Sequence, residues 1–140
     1  MYKHFIFVIA LLCSGLAQAE DLNYGDYSAA YMDCLNNVSL GMGTLDQQME
    51  KCRIEECAEL EIEIDKFVKA LKVMPKFKEY NSMHNITLSE SVQMRKKYGE
   101  AFCEAEMNLL EHNRDLNQCR LTMLNNLYVD LYNLYNAAKK

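Results

Sequence analysis

The chain has 140 residues, of which 50% are apolar and 25% charged, and its formal net charge is −5. One proline, five glycines and this apolar content argue against a disordered or an all-β chain. The negative balance argues against a basic nucleic-acid-binding surface. The composition therefore favours a small acidic protein with one modest core.

The first nineteen residues have the features of a secretory signal peptide. Lys3 precedes an apolar run over residues 5–12, and residues 17–19 (Ala-Gln-Ala) supply a small-x-small cleavage motif. The run is too short to span a bilayer, and no second long apolar stretch follows it. We therefore expect removal of residues 1–19 and a mature single domain over residues 20–140. This domain would be periplasmic or secreted, with 14 basic and 20 acidic residues, a net charge of −6 and no membrane span.

Two helices are predicted in the first half of the mature chain. The first is expected over residues 24–40. The second should begin at residues 44–47 (Thr-Leu-Asp-Gln), which form a capping-box motif, and Pro75 should end or kink it. Its apolar residues recur at steps of three and four, and they are Leu45, Met49, Cys52, Leu60, Ile64, Phe67, Leu71 and Met74.

Two further helices are predicted after a polar break over residues 81–85. A second capping-box motif, Thr-Leu-Ser-Glu at residues 87–90, begins the third helix. The face predicted to be buried on this helix holds Val92, Gly99, Phe102, Cys103, Glu106 and Leu110. The corresponding stripe of the fourth helix holds Leu116, Met123, Leu127, Leu131, Leu134 and Ala138. Because no segment alternates like a strand, we predict an all-α fold of four helices arranged as two antiparallel hairpins.

Five cysteines remain after removal of the signal segment, which contains Cys13. An exported chain meets an oxidising compartment, in which paired cysteines usually form disulfides. Cys52 and Cys57 have poor spacing for zinc and no histidine nearby, so we predict no metal there. Cys57 also has no symmetrically placed mate, and it should be either buried and free or paired between molecules.

The spacing of the other four cysteines indicates how they pair. Cys34 and Cys52 are centred on Gly43, in a loop-like segment, and Cys103 and Cys119 are centred just before the polar stretch between the last two helices. Two antiparallel helices joined by a short loop bring residues equidistant from the loop side by side. We therefore predict two disulfides, each closing one hairpin.

Four charged residues fall within the predicted apolar stripes. They are Glu56, Arg95, Glu106 and Arg120. An unpaired buried charge is costly, whereas a paired one is tolerated. We therefore hypothesise that one of the two glutamates pairs with one of the two arginines across a helix interface. The alternative, with about equal weight, is that these side chains extend to solvent at the stripe edges.

Two surfaces are candidates for contact with a partner. The solvent side of the second helix is acidic and carries Glu55, Glu59, Glu61 and Asp65, although Lys51, Lys66 and Lys69 share that side. The last helix has three tyrosines beside its apolar stripe, and they are Tyr128, Tyr132 and Tyr135. These tyrosines would either pack on the first two helices or form a partner surface.

No constellation for catalysis or cofactor binding is apparent. Only His84 and His112 remain in the mature chain, and neither has metal-ligand spacing. The glycines of residues 41–43 lack the lysine of a phosphate-binding loop. The methionines could indicate copper handling, but those at stripe positions are better explained as core residues. We therefore predict a protein that is not an enzyme and that has no cofactor.

The spacing of several residues resembles that of a known family. The first half carries a cysteine, a threonine, a methionine, a second cysteine and a glutamate in the pattern Cys34, Thr44, Met49, Cys52 and Glu56. The second half carries Arg95, Tyr98, Cys103, Cys119, Leu127 and Leu131. This pattern covers residues 31–135 and resembles the lysozyme inhibitor LprI-like family of small exported bacterial proteins. The family's Asp, its Trp and two of its Arg positions are occupied here by Glu61, Arg95, Gly99 and Leu127.

The resemblance implies a helical, disulfide-linked envelope or secreted protein, and it suggests c-type lysozyme as the target. Such lysozymes are strongly basic, so an acidic domain would be steered toward them. Residues 42–44 or 81–85 would supply a side chain to the lysozyme cleft. We thus predict a non-enzymatic exported binding protein. The alternatives are an immunity or assembly protein that uses the tyrosines, and an envelope protein with no soluble partner.

Overall fold

A computed structural model of the protein describes residues 27–38, 43–82, 87–109 and 115–140, without the side chains of residues 79–82. The described residues form five α-helices and no strand, which confirms the all-α prediction. The helices are α1 (Ala29–Asn36), α2 (Leu45–Val73), α3 (Pro75–Ser82), α4 (Leu88–Leu109) and α5 (Leu116–Lys139). Several predicted features lie outside the described residues, namely the signal peptide over residues 1–19, Met42, residues 83–85, Leu110 and His112.

Both predicted capping boxes are present at the starts of α2 and α4. The backbone N–H of Gln47 donates to Thr44 Oγ1 at 3.3 Å, and the Thr44 N–H donates to Gln47 Oε1 at 3.1 Å. Thr87 and Glu90 exchange the same two bonds at the start of α4, at 3.3 and 2.8 Å. Each box satisfies two backbone N–H groups that the helix leaves unpaired. Gly43 precedes the first box with φ 110°, a conformation that favours glycine.

The predicted number of four helices is wrong, because a short helix follows Pro75. Met74 has an extended backbone (ψ 132°), as expected for a residue that precedes a proline. Pro75 then occupies the first position of α3, where its fixed φ and missing N–H are tolerated. The predicted start of the first helix at residue 24 lies outside the described residues. Within them, residues 27 and 28 are not helical, and α1 begins at Ala29 because Ser28 caps it, accepting a 3.0 Å hydrogen bond from the Tyr31 N–H.

The core lies mainly between α2 and α5, with α1 packed on α2 and α4 packed on α5. On α2, five residues of the predicted stripe are buried, and they are Cys52, Leu60, Ile64, Phe67 and Leu71. Val68, which was not predicted, is buried as well, whereas Leu45 of the predicted stripe is exposed. On α5, the buried residues are Leu121, Leu124, Leu127, Tyr128, Leu131 and Tyr135. None of the helices in the described ranges is long and apolar enough to cross a membrane.

Two cysteine pairs lie at disulfide-bond distance, as the spacing predicts. Cys34 and Cys52 join α1 to α2 with their Cα atoms 5.8 Å apart. Cys103 and Cys119 join α4 to α5 with their Cα atoms 5.6 Å apart. Cys57 is the free cysteine of the described residues and is half-buried. We call α1 with α2 the first cross-linked pair, and α4 with α5 the second.

Candidate interaction surfaces

The four acidic residues predicted for partner contact are all exposed, but they do not form one patch. Glu55 and Glu59 line a crevice of about 360 Å³ between α1 and α2. Glu61 instead lines a groove between α2 and α4, and Asp65 Oδ1 lies 3.8 Å from Lys96 Nζ. The structure therefore separates these acids into a set beside α1 and a set beside α4.

Negative charge is nevertheless concentrated in one part of the chain. Residues 29–63 hold eight acidic and two basic side chains, a balance of −6, whereas residues 64–140 hold nine acidic and twelve basic, a balance of +3. We call residues 29–63 the acidic segment. It comprises α1 and the first two thirds of α2. This uneven distribution of charge can be found in the sequence by summing charges over successive segments. It is missed when only the acidic residues on one face of the second helix are considered.

Of the two alternatives for the tyrosines of the last helix, packing against the protein's own helices is the one observed for Tyr128 and Tyr135. Tyr128 is 2% exposed and Tyr135 is 7% exposed, so neither side chain is available to a partner. Their ring centroids lie 5.4 and 5.5 Å from that of Phe67 on α2, and Tyr132, which is half-buried, lies 6.1 Å from it. The edge-to-face geometry is favourable for aromatic rings. Burial also raises the pKa of Tyr128 to about 12. These tyrosines connect α5 to α2.

Glu56 is buried, but its observed hydrogen-bond partner lies in the segment before α1. Its side chain is 3% exposed. The backbone N–H of Ser28 donates to Glu56 Oε1 at 2.9 Å, and the Ser28 hydroxyl donates to Oε2. Because Ser28 also caps α1, this carboxylate fixes the start of α1 against α2.

Neither arginine of the predicted buried pairs has the predicted partner. Arg95 is half-exposed and bonds Asp130 of α5 at 2.7 Å. Arg120 Nε donates to both carboxylate oxygens of Glu100 on α4, at 2.7 and 2.8 Å. These hydrogen bonds from Arg120 lower the pKa of Glu100. Glu106 is half-buried and lines a groove between α4 and α5. The pairing hypothesis is therefore wrong for both arginines, which connect α4 and α5 at the protein surface.

Sequence reasoning missed an apolar surface on α4. Tyr98 and Phe102 are 66% and 67% exposed, although Phe102 is predicted to be buried. Three more exposed side chains share their side of the helix, and they are Met94, Ala105 and Leu109. At 100° per residue all five fall within about 80° of one another. We call these five residues the α4 stripe. Phe102 precedes the buried Cys103, and the helical pattern assigns both residues to the buried face. In the structure the buried face is narrower and does not include Phe102.

A groove of about 910 Å³ runs beside the α4 stripe, between α4 and α5. Tyr98 and Phe102 line its α4 side, and Gln118, Thr122 and Asn126 line its α5 side. The two helices approach closely at Gly99, which lines this groove and where an added Cβ would lie 1.6 Å from Met123 Sδ. This arrangement offers aromatic side chains and polar groups together, which is typical of protein-binding surfaces.

Cys57 lies in a second groove, of about 610 Å³, between α2 and α4. Burial raises the pKa of its thiol to about 11. The thiol is therefore protonated at neutral pH and is a poor nucleophile there. Among the residues that the structure describes, no group of three or more His, Cys, Asp or Glu side chains is arranged to hold a metal ion.

Comparisons with protein-family models, with curated proteins and with solved structures found no match.

Proposed function

We propose that the chain is an exported, non-enzymatic protein that binds a basic protein partner through its acidic segment. The observation that carries this proposal is the charge polarity, −6 over residues 29–63 against +3 over residues 64–140. Such polarity orients an approaching partner and raises the rate of encounter. In this proposal the chain folds as two antiparallel hairpins, one closed by Cys34–Cys52 and the other by Cys103–Cys119.

Export is supported by the two disulfides together with the predicted signal peptide. Disulfides persist in the periplasm and outside the cell but are rare in the reducing cytosol. Four of the five cysteines after residue 19 are paired in the structure. The compartment is thus a proposal that rests on cysteine chemistry and on the composition of residues 1–19.

The first partner to test is a c-type lysozyme. The resemblance to the LprI-like family suggests this target, and the acidic segment has the charge that a strongly basic enzyme would attract. Glu55 and Glu59 are the best contact candidates, because both are exposed beside the α1–α2 crevice. Lys51 Nζ lies 3.7 Å from Glu55 Oε1, but this pair is exposed and weakly coupled.

The test is the clearing of a bacterial cell-wall suspension by lysozyme in the presence of the oxidised mature protein. We expect inhibition near stoichiometric ratios at low salt and weaker inhibition at physiological salt, because salt screens exposed charges. The double variant Glu55→Gln/Glu59→Gln should bind about tenfold more weakly.

The double variant Asn133→Lys/Ala137→Lys is the matched control, because it changes the net charge by the same two units at exposed positions of α5, outside the acidic segment. It should leave lysozyme binding unchanged. Full lysozyme activity in a large excess of the wild-type protein would reject lysozyme as the partner. Equal effects of the control and the double variant would show that net charge, and not the acidic segment, determines binding.

A second function, as an assembly protein, is favoured by the α4 stripe. From the sequence, such a role falls to the tyrosines of α5, but Tyr128 and Tyr135 are buried and are not available to a partner. The α4 stripe supplies an exposed aromatic surface in their place.

A further inference from the structure

We propose that one end of the helical bundle, where α2 and α5 finish and α3 follows, docks on an anionic lipid bilayer. This end lies away from the acidic segment, so the proposal goes beyond the function proposed above. The bilayer is inferred from the charge of this end, from the kind of cation that it carries and from one exposed apolar side chain.

The C-terminal ends of α2 and α5 lie together because the two helices run in the same direction. Arg53 of α2 pairs with Asp115 at the start of α5. Further along, Phe67 of α2 packs against Tyr135, near the end of α5. α3 begins at Pro75, directly after α2, and packs on it. The last turns of α2 and α5 therefore meet α3 at one end of the bundle.

This end of the bundle is rich in exposed lysine. Its six lysines are Lys69 and Lys72 on α2, Lys76 and Lys78 on α3, and Lys139 and Lys140 at the end of α5. Two acidic residues share this end, Glu79 on α3 and Glu90 in the first turn of α4, so the balance is +4. The Glu90 carboxylate already accepts hydrogen bonds from the Thr87 N–H and hydroxyl, both at 2.8 Å. We call the six lysines the basic end.

The charges of the basic end are not neutralised within the chain. None of the six lysines forms a salt bridge with a carboxylate in the described ranges. Lys139 instead places its Nζ 4.3 Å from the centre of the Tyr135 ring, which leaves its charge in place. The basic end can therefore attract an external anion without breaking an existing ion pair.

All the cations of the basic end are lysines, which favours a diffuse anionic surface over a specific anionic group. Arginine binds a carboxylate or a phosphate through two parallel hydrogen bonds, whereas lysine is a point charge on a flexible stem. The arginines in the described part of the chain, Arg53, Arg95 and Arg120, are each bonded to a carboxylate of the protein itself. Clustered lysines are attracted to anionic lipids without any fixed geometry.

An acidic protein is a less suitable occupant than a bilayer. Lysine is depleted in protein–protein interfaces, whereas arginine and aromatic residues are enriched there. Val73, the last residue of α2, lies beside Lys72 and is 69% exposed. An apolar side chain among lysines can enter the headgroup region while the ammonium groups remain at the level of the phosphates.

The acidic segment does not oppose this docking, because it lies beyond the reach of its charges. Along α2, Glu63 precedes Lys72 by about 14 Å and Glu55 precedes it by about 26 Å. The Debye length is about 8 Å at physiological ionic strength, so exposed charges at these distances are largely screened. Docking through the basic end would hold the acidic segment away from the bilayer, where a basic partner can reach it.

The test measures binding of the oxidised mature protein to lipid vesicles by co-sedimentation. Vesicles of phosphatidylcholine with one-third phosphatidylglycerol should bind the protein, and vesicles of phosphatidylcholine alone should not. Added salt should release the protein, because it screens exposed charges. Lys72→Gln/Lys76→Gln should weaken binding about 25-fold, since each lysine near an anionic surface contributes about fivefold.

Lys51→Gln/Lys97→Gln is the matched control. It removes the same two charges from exposed positions outside the basic end. This variant should bind the anionic vesicles as the wild type does. Equal weakening by the two double variants would overturn the proposal, because net charge would then determine binding. Absence of binding to the anionic vesicles at low salt would overturn it as well.

A tryptophan reporter tests the orientation on the bilayer, since the chain has no tryptophan of its own. The emission of Val73→Trp should shift to shorter wavelength when anionic vesicles are added, because the indole leaves water. Ile62→Trp is its control, since Ile62 is 50% exposed on α2 within the acidic segment. Its emission should not shift. A shift in both variants, or in neither, would contradict docking through the basic end.

Other occupants of the basic end give different results. Release of the protein from vesicles by inorganic phosphate, at constant ionic strength, would assign the lysines to free phosphate and reject the bilayer. Self-association that depends on Lys72 and Lys76, without vesicle binding, would assign them to the acidic segment of a second copy.

Failure of this proposal is distinguishable from failure of the proposed function. Lys72→Gln/Lys76→Gln should lose vesicle binding and retain inhibition of lysozyme. Glu55→Gln/Glu59→Gln should retain vesicle binding. A protein that inhibits lysozyme but ignores anionic vesicles rejects the bilayer alone, and one that binds vesicles without any effect on lysozyme rejects the lysozyme partner alone.

Discussion

The two cross-linked pairs use similar covalent links to hold very different helices. Cys34–Cys52 spans 18 residues and Cys103–Cys119 spans 16. The first link holds α1, which has only eight residues and depends on the Glu56–Ser28 contact. The second holds α4, which has 22 residues and leaves an apolar stripe in solvent. A short helix is marginal alone and needs anchors at both ends, whereas a long one can retain its structure while it exposes a face.

Removing either disulfide should give the largest loss of stability. It should also show most clearly how the two cross-linked pairs differ. Loop-closure entropy predicts a loss of about 3 kcal/mol in the free energy of unfolding for either Cys34→Ser/Cys52→Ser or Cys103→Ser/Cys119→Ser. The local response should differ. Amide hydrogen exchange should show lost protection throughout α1 in the first variant and retained protection in α4 in the second.

Chemical denaturation supplies the global values for both disulfide variants, with the reduced wild type as the reference for loss of both links. If α1 keeps its protection without Cys34–Cys52, the anchoring role assigned to this link is wrong.

Removing the buried carboxylate should give the next largest effect. Glu56→Ala leaves the Ser28 N–H and hydroxyl without their acceptor and should cost about 2 kcal/mol of stability. Glu56→Gln keeps an acceptor and should cost less. Glu59→Ala is the control, because Glu59 is exposed one turn away. Thermal unfolding of the three variants checks this order, and an equal loss for Glu56→Ala and Glu59→Ala would contradict it.

The close approach of α4 to α5 predicts an unusual response at Gly99. Glycine within a helix is normally less stable than alanine, but here an added Cβ would collide with Met123. We expect Gly99→Ala to destabilise by about 1 kcal/mol. In the background of Met123→Ala, which removes the obstructing side chain, the same substitution should stabilise by about 0.5–1 kcal/mol. A double-mutant cycle of melting temperatures measures the coupling, and a value of zero would show that the contact is not limiting.

The surface pair between Glu100 and Arg120 should give the smallest effect. Hydrogen bonds from Arg120 lower the pKa of Glu100 below its ordinary value of 4.5. The contribution of Glu100 to stability is therefore fully present above that value and is lost as the pH falls through the lowered pKa. Both side chains are about one-third exposed, so we expect less than about 1 kcal/mol.

Melting curves of wild type and Glu100→Gln from pH 6 to pH 2 provide the test. The stability difference should shrink as the medium becomes acidic. A difference that stays constant would indicate that the pair contributes nothing to the pH dependence.

Local features of the fold were predictable from the sequence because their causes are local. The capping box at Thr44 depends on side chains three residues apart, and the cysteine pairs depend on symmetry about a loop. The break at Pro75 was predicted as well, but the helix that follows it was not. A proline that ends one helix is also a favourable first residue for the next, and the sequence alone does not say whether the chain resumes.

Partnerships between helices were not predictable in the same way. The 100° periodicity places Arg95 and Arg120 near a buried face, but it does not say which carboxylates of the neighbouring helix come within reach. The same limit left open whether Tyr128 packs inside the protein or faces a partner, and in the structure its ring packs against Phe67 of α2. It also explains why the predicted burial of Phe102 is wrong. The width of the buried face depends on how much of α4 the neighbouring helices cover, and the sequence of α4 alone does not give this.

The raised pKa of Cys57 affects disulfide exchange, because this chain has an odd cysteine beside two disulfides. Disulfide exchange requires a thiolate as the attacking group. Burial raises the pKa of the Cys57 thiol to about 11, so this thiol is almost entirely protonated at pH 7 once its surroundings have packed. Packing of the groove between α2 and α4 therefore slows attack by the odd thiol on a neighbouring disulfide, including the one at Cys52, about one and a half turns earlier on α2.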